Sequence, residues 1–249
     1  MKILITNDDG ISSPGLWELQ KALEPFGTTL VVAPATEQSG KGVSQTIFSS
    51  PEASICNNAP CQAWAVHGTP ADCVKFFISH HGKPDLIISG INPGANIGPY
   101  LFCSGTVGAT IEGALRDIPG IAFSVADMSN PQFHRLTPYI PQIIEYATKT
   151  HPLPQGTILN VNFPRYTTLD TKFGGAVAGI KFTRQGKKAI AAQAEESDTY
   201  WLQEGYITIV PIYVQDLTHC PYLNNTQTLQ PHPGQSADSC KESISTALA

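Results

Sequence analysis

The chain has 249 residues, 41% of them hydrophobic and 14% charged. That balance supports a sizeable core in one large domain, with or without an extension, and excludes global disorder. The formal net charge of −5 argues against a nucleic-acid polymer or an anionic membrane as the main partner, whereas a small anionic substrate stays open because a metal ion can reverse the local field.

Six cysteines (Cys56, Cys61, Cys73, Cys103, Cys220 and Cys240) form no C-x-x-C pair and no zinc-finger spacing, so reduced thiols in the cytoplasm are expected. The first apolar run ends at Asp8, too soon for a signal peptide. No stretch approaches the ~18 apolar residues of a membrane span.

Ile3, Leu4 and Ile5 form an apolar run followed at once by Thr6-Asn7-Asp8-Asp9-Gly10. A parallel strand buried on both faces reads as such a run rather than as an alternation. Ligands of open α/β sheets lie beyond the carboxyl ends of the strands, where Asp8 and Asp9 fall. Adjacent carboxylates repel unless a positive charge lies between them. A divalent cation would provide it; an ordinary Asp-Gly turn is the alternative.

Ser13-Pro14 then opens a helix carrying Leu16, Leu19, Leu23 and Phe26, closed by Gly27. Thr29–Ala33 is the second strand, completing a β-α-β unit with a parallel pair. Pro34–Gly42, with Ser39 between glutamine and glycine, is a polar loop at another strand's carboxyl end. Val43–Pro60 reads as irregular. Ala63–Val66 is a short strand, and Gly68-Thr69-Pro70-Ala71-Asp72 is a capped helix start. His67 before it reads as a turn residue first and a catalyst second.

Leu86–Ser89 is a buried strand, followed by a glycine-rich loop, Gly90–Gly98, with Asn92 and Asn96. Neither a P-loop nor a dinucleotide fingerprint is present. Ser104-Gly105-Thr106 opens a helix running to about Arg116, and its hydroxyls and unpaired N–H groups make either a simple cap or an anion site. Gly120–Val125 is a further buried strand. Gln132–Lys149 reads as a helix with Pro138 and Pro141 in its early turns. Gly156–Asn162 reads as the last strand of the main sheet. Beyond Phe163 the β-α alternation is expected to stop: Lys172–Ala194 reads as a hairpin-like arm whose charges (Arg184, Lys187, Lys188) form a solvated face, Gly205–Pro211 is a late strand, and the polar tail is expected to be mobile.

Asp8/Asp9, Ser39, Asn92/Asn96 and Ser104-Gly105-Thr106 thus all fall at strand ends. The ligand atoms are all oxygens, which suits Mg²⁺ or Mn²⁺. A metal beside an anion site points to phosphoester hydrolysis with metal-activated water. A haloacid-dehalogenase-type phosphatase would need D-x-D where this chain has adjacent aspartates. A receiver-like module would need a phosphoacceptor Asp ending a later strand, but Asp85 precedes its strand. A non-catalytic phosphate- or nucleotide-binding module is the remaining alternative.

These segments also resemble a known family. ITNDDG at 5–10, Ser39-Gly40, GTPADC at 68–73, SGIN-x-G-x-N-x-G at 89–98, SGTV at 104–107 and D-T-x(5)-GYITIVP near 198–211 are similar to the SurE survival-protein family of metal-dependent 5′/3′-nucleotidases. The likeness covers most of residues 1–218; Gln38 stands where the family often has a basic residue. The resemblance implies a Rossmann-like three-layer αβα sandwich with a C-terminal β-hairpin arm that builds homodimers or homotetramers. The expected organisation is a single domain over 1–249, with the core at 1–165, the arm and late strand at 166–224 and the tail at 225–249. By motif position Asp8, Asp9, Ser39 and Asn92 would hold one divalent ion, with Asp8 or Asp9 also taking the water's proton. Asn96, Ser104, Gly105 and Thr106 would contact phosphate. The reaction would release phosphate from nucleoside monophosphates, and some members also cleave short polyphosphate.

Overall fold

The computed structural model describes residues 1–187 and 197–215. Its sheet runs β1 (Lys2–Thr6), β2 (Thr28–Pro34), β3 (Ala53–Ile55), β4 (Ala63–Val66), β5 (Leu86–Pro93), β6 (Gly120–Val125), β7 (Thr157–Phe163), β8 (Gly179–Phe182) and β9 (Tyr206–Tyr213), in spatial order β3-β4-β2-β1-β5-β6-β7-β9-β8. The six central strands from β4 to β7 are parallel, whereas β3 pairs antiparallel with β4 and β9 antiparallel with β7.

The alternation of side chains along β1 explains the three layers. Ile3 and Ile5 join the core beneath α1 (Pro14–Leu23), with Leu16, Leu19 and Leu23, while Leu4 joins the core on the other face with Val74 and Phe77 of α2 (Pro70–His81). Helix α3 (Gly105–Ala114) covers the α2 face through Val107 and Ala109, and α4 (Ile140–Glu145) covers the α1 face through Ile140, Ile143 and Ile144. The steps β1→β2 and β6→β7 run in opposite directions across the sheet, yet α1 and α4 lie on the same face. Those two crossovers are therefore of opposite hand, against the usual uniformity of βαβ units.

From β1 the chain first builds outward through β2 and β4 and then returns to place β5 on the other side of β1. The strand order therefore reverses between β1 and β5, the crevice where ligands bind in doubly wound sheets.

Several expectations are corrected. Within Val43–Pro60 lies the edge strand β3, and its three residues are all exposed. Beyond Ser89 the strand does not yield to a loop: β5 continues to Pro93, after a register shift against β6 between Ser89 and Asn92. Gly90 makes this possible, because a Cβ there would fall 2.3 Å from the Phe123 carbonyl oxygen. Gln132–Lys149 is not one helix but two 3₁₀ turns (Phe133–Arg135 and Thr137–Tyr139), α4 and a π turn, Tyr146–Thr150. Pro138 and Pro141 lack the N–H that a continuous ladder needs.

The main sheet does not end at β7, because β9 pairs along it from Thr157 to Asn162 and β8 then adds parallel to β9. Helices α5 (Tyr166–Lys172) and α6 (Asp198–Gln203) interleave with these strands, so the β-α alternation resumes after Phe163. Part of the expected hairpin arm, Lys188 included, and the tail at 225–249 lie outside the described residues. No helix among the described residues is long and apolar enough to cross a membrane.

Candidate functional site

The site is built from the ends of β1, β2 and β5 and the N-terminus of α3 at the β1/β5 crevice. Past β1 the chain turns sharply: Asn7 Nδ2 donates to the Gly10 carbonyl at 2.9 Å, and Gly10 N–H donates back to Asn7 Oδ1 at 3.2 Å. This Asx-type closure fixes the two aspartates between its ends. The loop after β2 is stitched to them, because Gln38 N–H donates to the Asp8 carbonyl at 2.7 Å.

Asp8 is 4% exposed, and its carboxylate meets the first turn of α3. Thr106 Oγ1 donates to Asp8 Oδ1 at 2.6 Å. A Cβ on Gly105 would fall 2.8 Å from Asp8 Cβ and 3.0 Å from Oδ2, so only glycine allows this approach. Burial pushes the Asp8 carboxyl above the ordinary carboxylate range, and hydrogen bonds from Thr106 and Gly105 pull against it. Helix α3 therefore spends part of its N-terminal donor capacity on a carboxylate of the protein itself.

Asp9 is less well satisfied. Its Oδ2 is buried without a hydrogen-bond partner. Burial, then the charges of Asp8 and Glu37, push its pKa up to about 7. A cation between the two carboxylates would relieve both the repulsion and the orphaned oxygen. Among the described residues no three His, Cys, Asp or Glu side chains gather as a metal cluster. A cation here would thus depend on two carboxylates plus neutral oxygens, the donor set of a hard ion.

Ser39 is exposed, and its Oγ donates to Glu37 Oε1 at 2.9 Å. Asn92, at the end of β5, lies opposite Ser124 of β6 and donates through Nδ2 to the Gly94 carbonyl at 2.6 Å, which leaves its Oδ1 uncommitted by that bond. Asn96 is 8% exposed and tied from three sides. Its Nδ2 donates to Ser124 Oγ at 2.8 Å, its N–H donates to Asn162 Oδ1 at 2.8 Å, and its carbonyl accepts from Asn160 Nδ2 at 2.7 Å. Ser104 caps α3 by accepting from Val107 N–H at 3.1 Å. His67 lies exposed beyond β4, with its N–H donating to the Glu52 carbonyl at 2.8 Å.

Direct contact thus joins Asp8 with Gly105 and Thr106, and Asn92 and Asn96 share Ser124 as a neighbour. Ser39 is brought to the same strand ends through the Gln38–Asp8 bond rather than by its own side chain. Sequence reasoning missed Ser124, Asn160 and Asn162, the framework beneath Asn96. Asn160 and Asn162, two residues apart in an otherwise apolar strand, share one face and were readable as a polar pair turned toward a common target. Asp198, which opens the D-T-x(5)-GYITIVP stretch, is given no role by the sequence reading. This fully buried carboxylate accepts from Gly98 N–H at 3.2 Å, Gly186 N–H at 2.7 Å and Thr199 N–H at 2.7 Å, while Gln185 Nε2 donates to the Gly98 carbonyl. Both polar groups of the Gly98 backbone are therefore held by the segment around α6.

Fold and site together define a class: a doubly wound α/β domain with paired carboxylates at its switch point, set against a helix N-terminus and flanked by neutral oxygen donors. Comparison with known proteins narrows it. The model of the "Survival protein SurE" family matches residues 3–192. The chain is 36% identical over 250 residues to "5′-nucleotidase SurE" of Protochlamydia amoebophila, covering 89% of this chain and 93% of that protein. It is 35% identical to the protein of that name from Aquifex aeolicus, covering 92% and 98%. The crystal structure of the SurE protein from Aquifex aeolicus superposes with a TM-score of 0.77 at 32% identity, covering 90% of this chain and 100% of that one. The chain belongs to the SurE family.

Proposed function

We propose that this chain is a 5′-nucleotidase that depends on one divalent cation, Mg²⁺ or Mn²⁺, held by Asp8, Asp9, Ser39 and Asn92. Its relatives carry the 5′-nucleotidase name over most of their length. The observation that carries the metal reading is Asp9 Oδ2, a buried oxygen without a partner beside a second carboxylate. A bound cation would supply charge to acidify a water and polarise a phosphoryl oxygen.

The rest of the chemistry falls to the chain's own residues. Thr106 occupies Asp8 Oδ1 and holds that carboxylate in one orientation. Asp8 or Asp9, both beside the water that such a cation would hold, would take that water's proton. Gly105 and Thr106 are assigned to the phosphate on their contact with Asp8, Ser104 as the cap of the same helix N-terminus and Asn96 by its motif position; the dipole of α3 favours negative charge there. The rigid asparagine framework under Asn96 keeps that contact in place without reorganisation. The same site is proposed to accept 3′-monophosphates and short polyphosphate, and the chain to form a homodimer or homotetramer through its arm. The four described cysteines are free thiols, which fits work in the cytoplasm.

Phosphate release from a panel of 5′- and 3′-nucleoside monophosphates and tripolyphosphate, in EDTA and then with Mg²⁺ or Mn²⁺, tests this reading. Release that requires the divalent ion supports it. Release unaffected by EDTA overturns the metal assignment. No release under any condition overturns the nucleotidase reading in favour of a binding role.

A further inference from the structure

The loop carrying Asn96 returns to Ser104 through a short 3₁₀ helix, Gly98–Cys103. Each end of this turn is fastened. Gly98 is held by Asp198 and Gln185, and the Cys103 carbonyl accepts from Gly42 N–H at 3.0 Å. Leu101 is driven into the core at 3% exposure, yet its neighbours Tyr100 and Phe102 remain 55% and 74% exposed. Leu101 supplies the packing of this anchored turn and backbone bonds supply its fixation, while the Tyr100 and Phe102 rings stay turned to solvent. Leaving such area in water forgoes favourable burial.

We propose that Tyr100 and Phe102 form the platform on which the nucleobase of the substrate stacks. This rests on the proposed placement of the phosphate at Asn96 and the α3 N-terminus. The turn joins Asn96 to Ser104, the two sides of that phosphate site, so its exposed rings are the nearest large apolar side chains in the chain to the sugar and base of a bound ester. Aromatic rings suit a purine or pyrimidine because every base presents a π-face, and stacking tolerates base identity where hydrogen-bond readout would not. The rings are preorganised by the clamps at Gly98 and Cys103, so little ordering remains to be done on binding. The substrate class the turn selects is therefore a phosphate ester carrying a planar heterocycle, with weak discrimination among bases.

The test compares adenosine 5′-monophosphate with ribose 5-phosphate, which keeps the ester and sugar and lacks the base. In the double variant Tyr100→Ala/Phe102→Ala, the ratio of kcat/KM for the nucleotide to that for the sugar phosphate is expected to fall about tenfold, within the range of base–aromatic stacking, mainly through KM for the nucleotide. The ring-retaining pair Tyr100→Phe/Phe102→Tyr keeps the ratio. An unchanged ratio overturns the platform while leaving the nucleotidase reading intact. So does an equal loss on both substrates accompanied by a change of mass in light scattering, which would mark the turn as an interface between copies of the chain. Wild-type protein that releases phosphate from neither substrate overturns the nucleotidase reading and the platform together.

Discussion

Thr106 Oγ1 lies 2.6 Å from Asp8 Oδ1, joining a residue that follows β1 to the second position of α3, 98 residues later in the chain. The bond opposes the burial that raises the Asp8 pKa. It also leaves Asp8 Oδ2 against Gly105 as the oxygen not used by Thr106. Helix α3 thus orients a carboxylate of the proposed metal site and borders the proposed phosphate site, so changes at its first turn bear on both.

Thr106→Val keeps the side-chain shape and removes the donor. Asp8 then loses its orienting bond and favours its protonated form more strongly. Residues that orient a metal ligand typically govern activity by about 10–100-fold, and that loss is expected in kcat/KM, together with weaker Mn²⁺ binding in calorimetry. Stability should fall by only about 1.5–3 kcal/mol, the worth of one hydrogen bond to a charged group. Thr106→Ser is expected to restore most of the activity.

Asp9→Asn separates stability from function in the opposite direction. The folded-state pKa of Asp9, about 7, stands above its ordinary value of 3.8. Its contribution to stability is therefore complete below about pH 4 and is lost as pH rises through 7. The metal-free wild type should lose stability across that window, and Asn, which never ionises, should not. In EDTA at pH 7.5, Asp9→Asn is expected to be more stable than wild type by on the order of 1–3 kcal/mol, discounted for the partial exposure of the group, while its metal-dependent turnover collapses. Melting curves in EDTA from pH 5 to 8 check the first claim. Parallel slopes for the two proteins would show that Asp9 is not the strained group.

Much of this arrangement was legible in local pattern. The β1 run and the acidic pair stand out because a strand buried on both faces has no alternation to hide in, and Thr69-Pro70-Ala71-Asp72 predicts the capping box that α2 shows. What was not legible depends on distant partners. The strand β3 is short, exposed and defined only by its pairing with β4. The extension of β5 to Asn92 depends on Gly90 passing under Phe123. The proline-broken region around α4 retains helical periodicity in its apolar residues, which masks the missing N–H groups. Ser39 illustrates the converse: its placement in a strand-end loop was readable, but its bond to Glu37 reflects a local choice of rotamer that no spacing encodes.

Gly105→Ala tests the close approach of α3 to the acidic turn. The new methyl would meet Asp8 Cβ at 2.8 Å, which cannot yield without moving the backbone, and would also press on Pro70 Cγ at 3.1 Å. Alanine is the better helix former, so propensity alone predicts a gain. Overpacking is expected to win, with a loss of about 1–3 kcal/mol, and a displaced Asp8 should lower kcat by about a hundredfold. A variant as active as wild type would show that the carboxylate has more freedom than the packing implies.

The last relation to test is the reach of Asp198, 100 residues beyond Gly98 in the chain. Asp198→Ala removes the carboxylate that accepts from the Gly98 and Gly186 N–H groups and should cost about 3 kcal/mol, enough to confuse loss of fold with loss of function. Asp198→Asn distinguishes them. Its amide oxygen can take the place of Oδ1, which accepts from Gly186 and Thr199, but its NH₂ then faces the Gly98 N–H, where Oδ2 accepted a bond. The fold around α6 is retained while the clamp on Gly98 is released, so the turn that follows Asn96 loses its fixed start. Asp198→Asn is expected to melt within about 1–2 kcal/mol of wild type and to show KM for nucleoside monophosphates raised about tenfold with a smaller change in kcat, the pattern of lost positioning in binding rather than in the chemical step. Equal losses in KM and thermal stability for Asn and Ala would instead assign Asp198 to the fold alone.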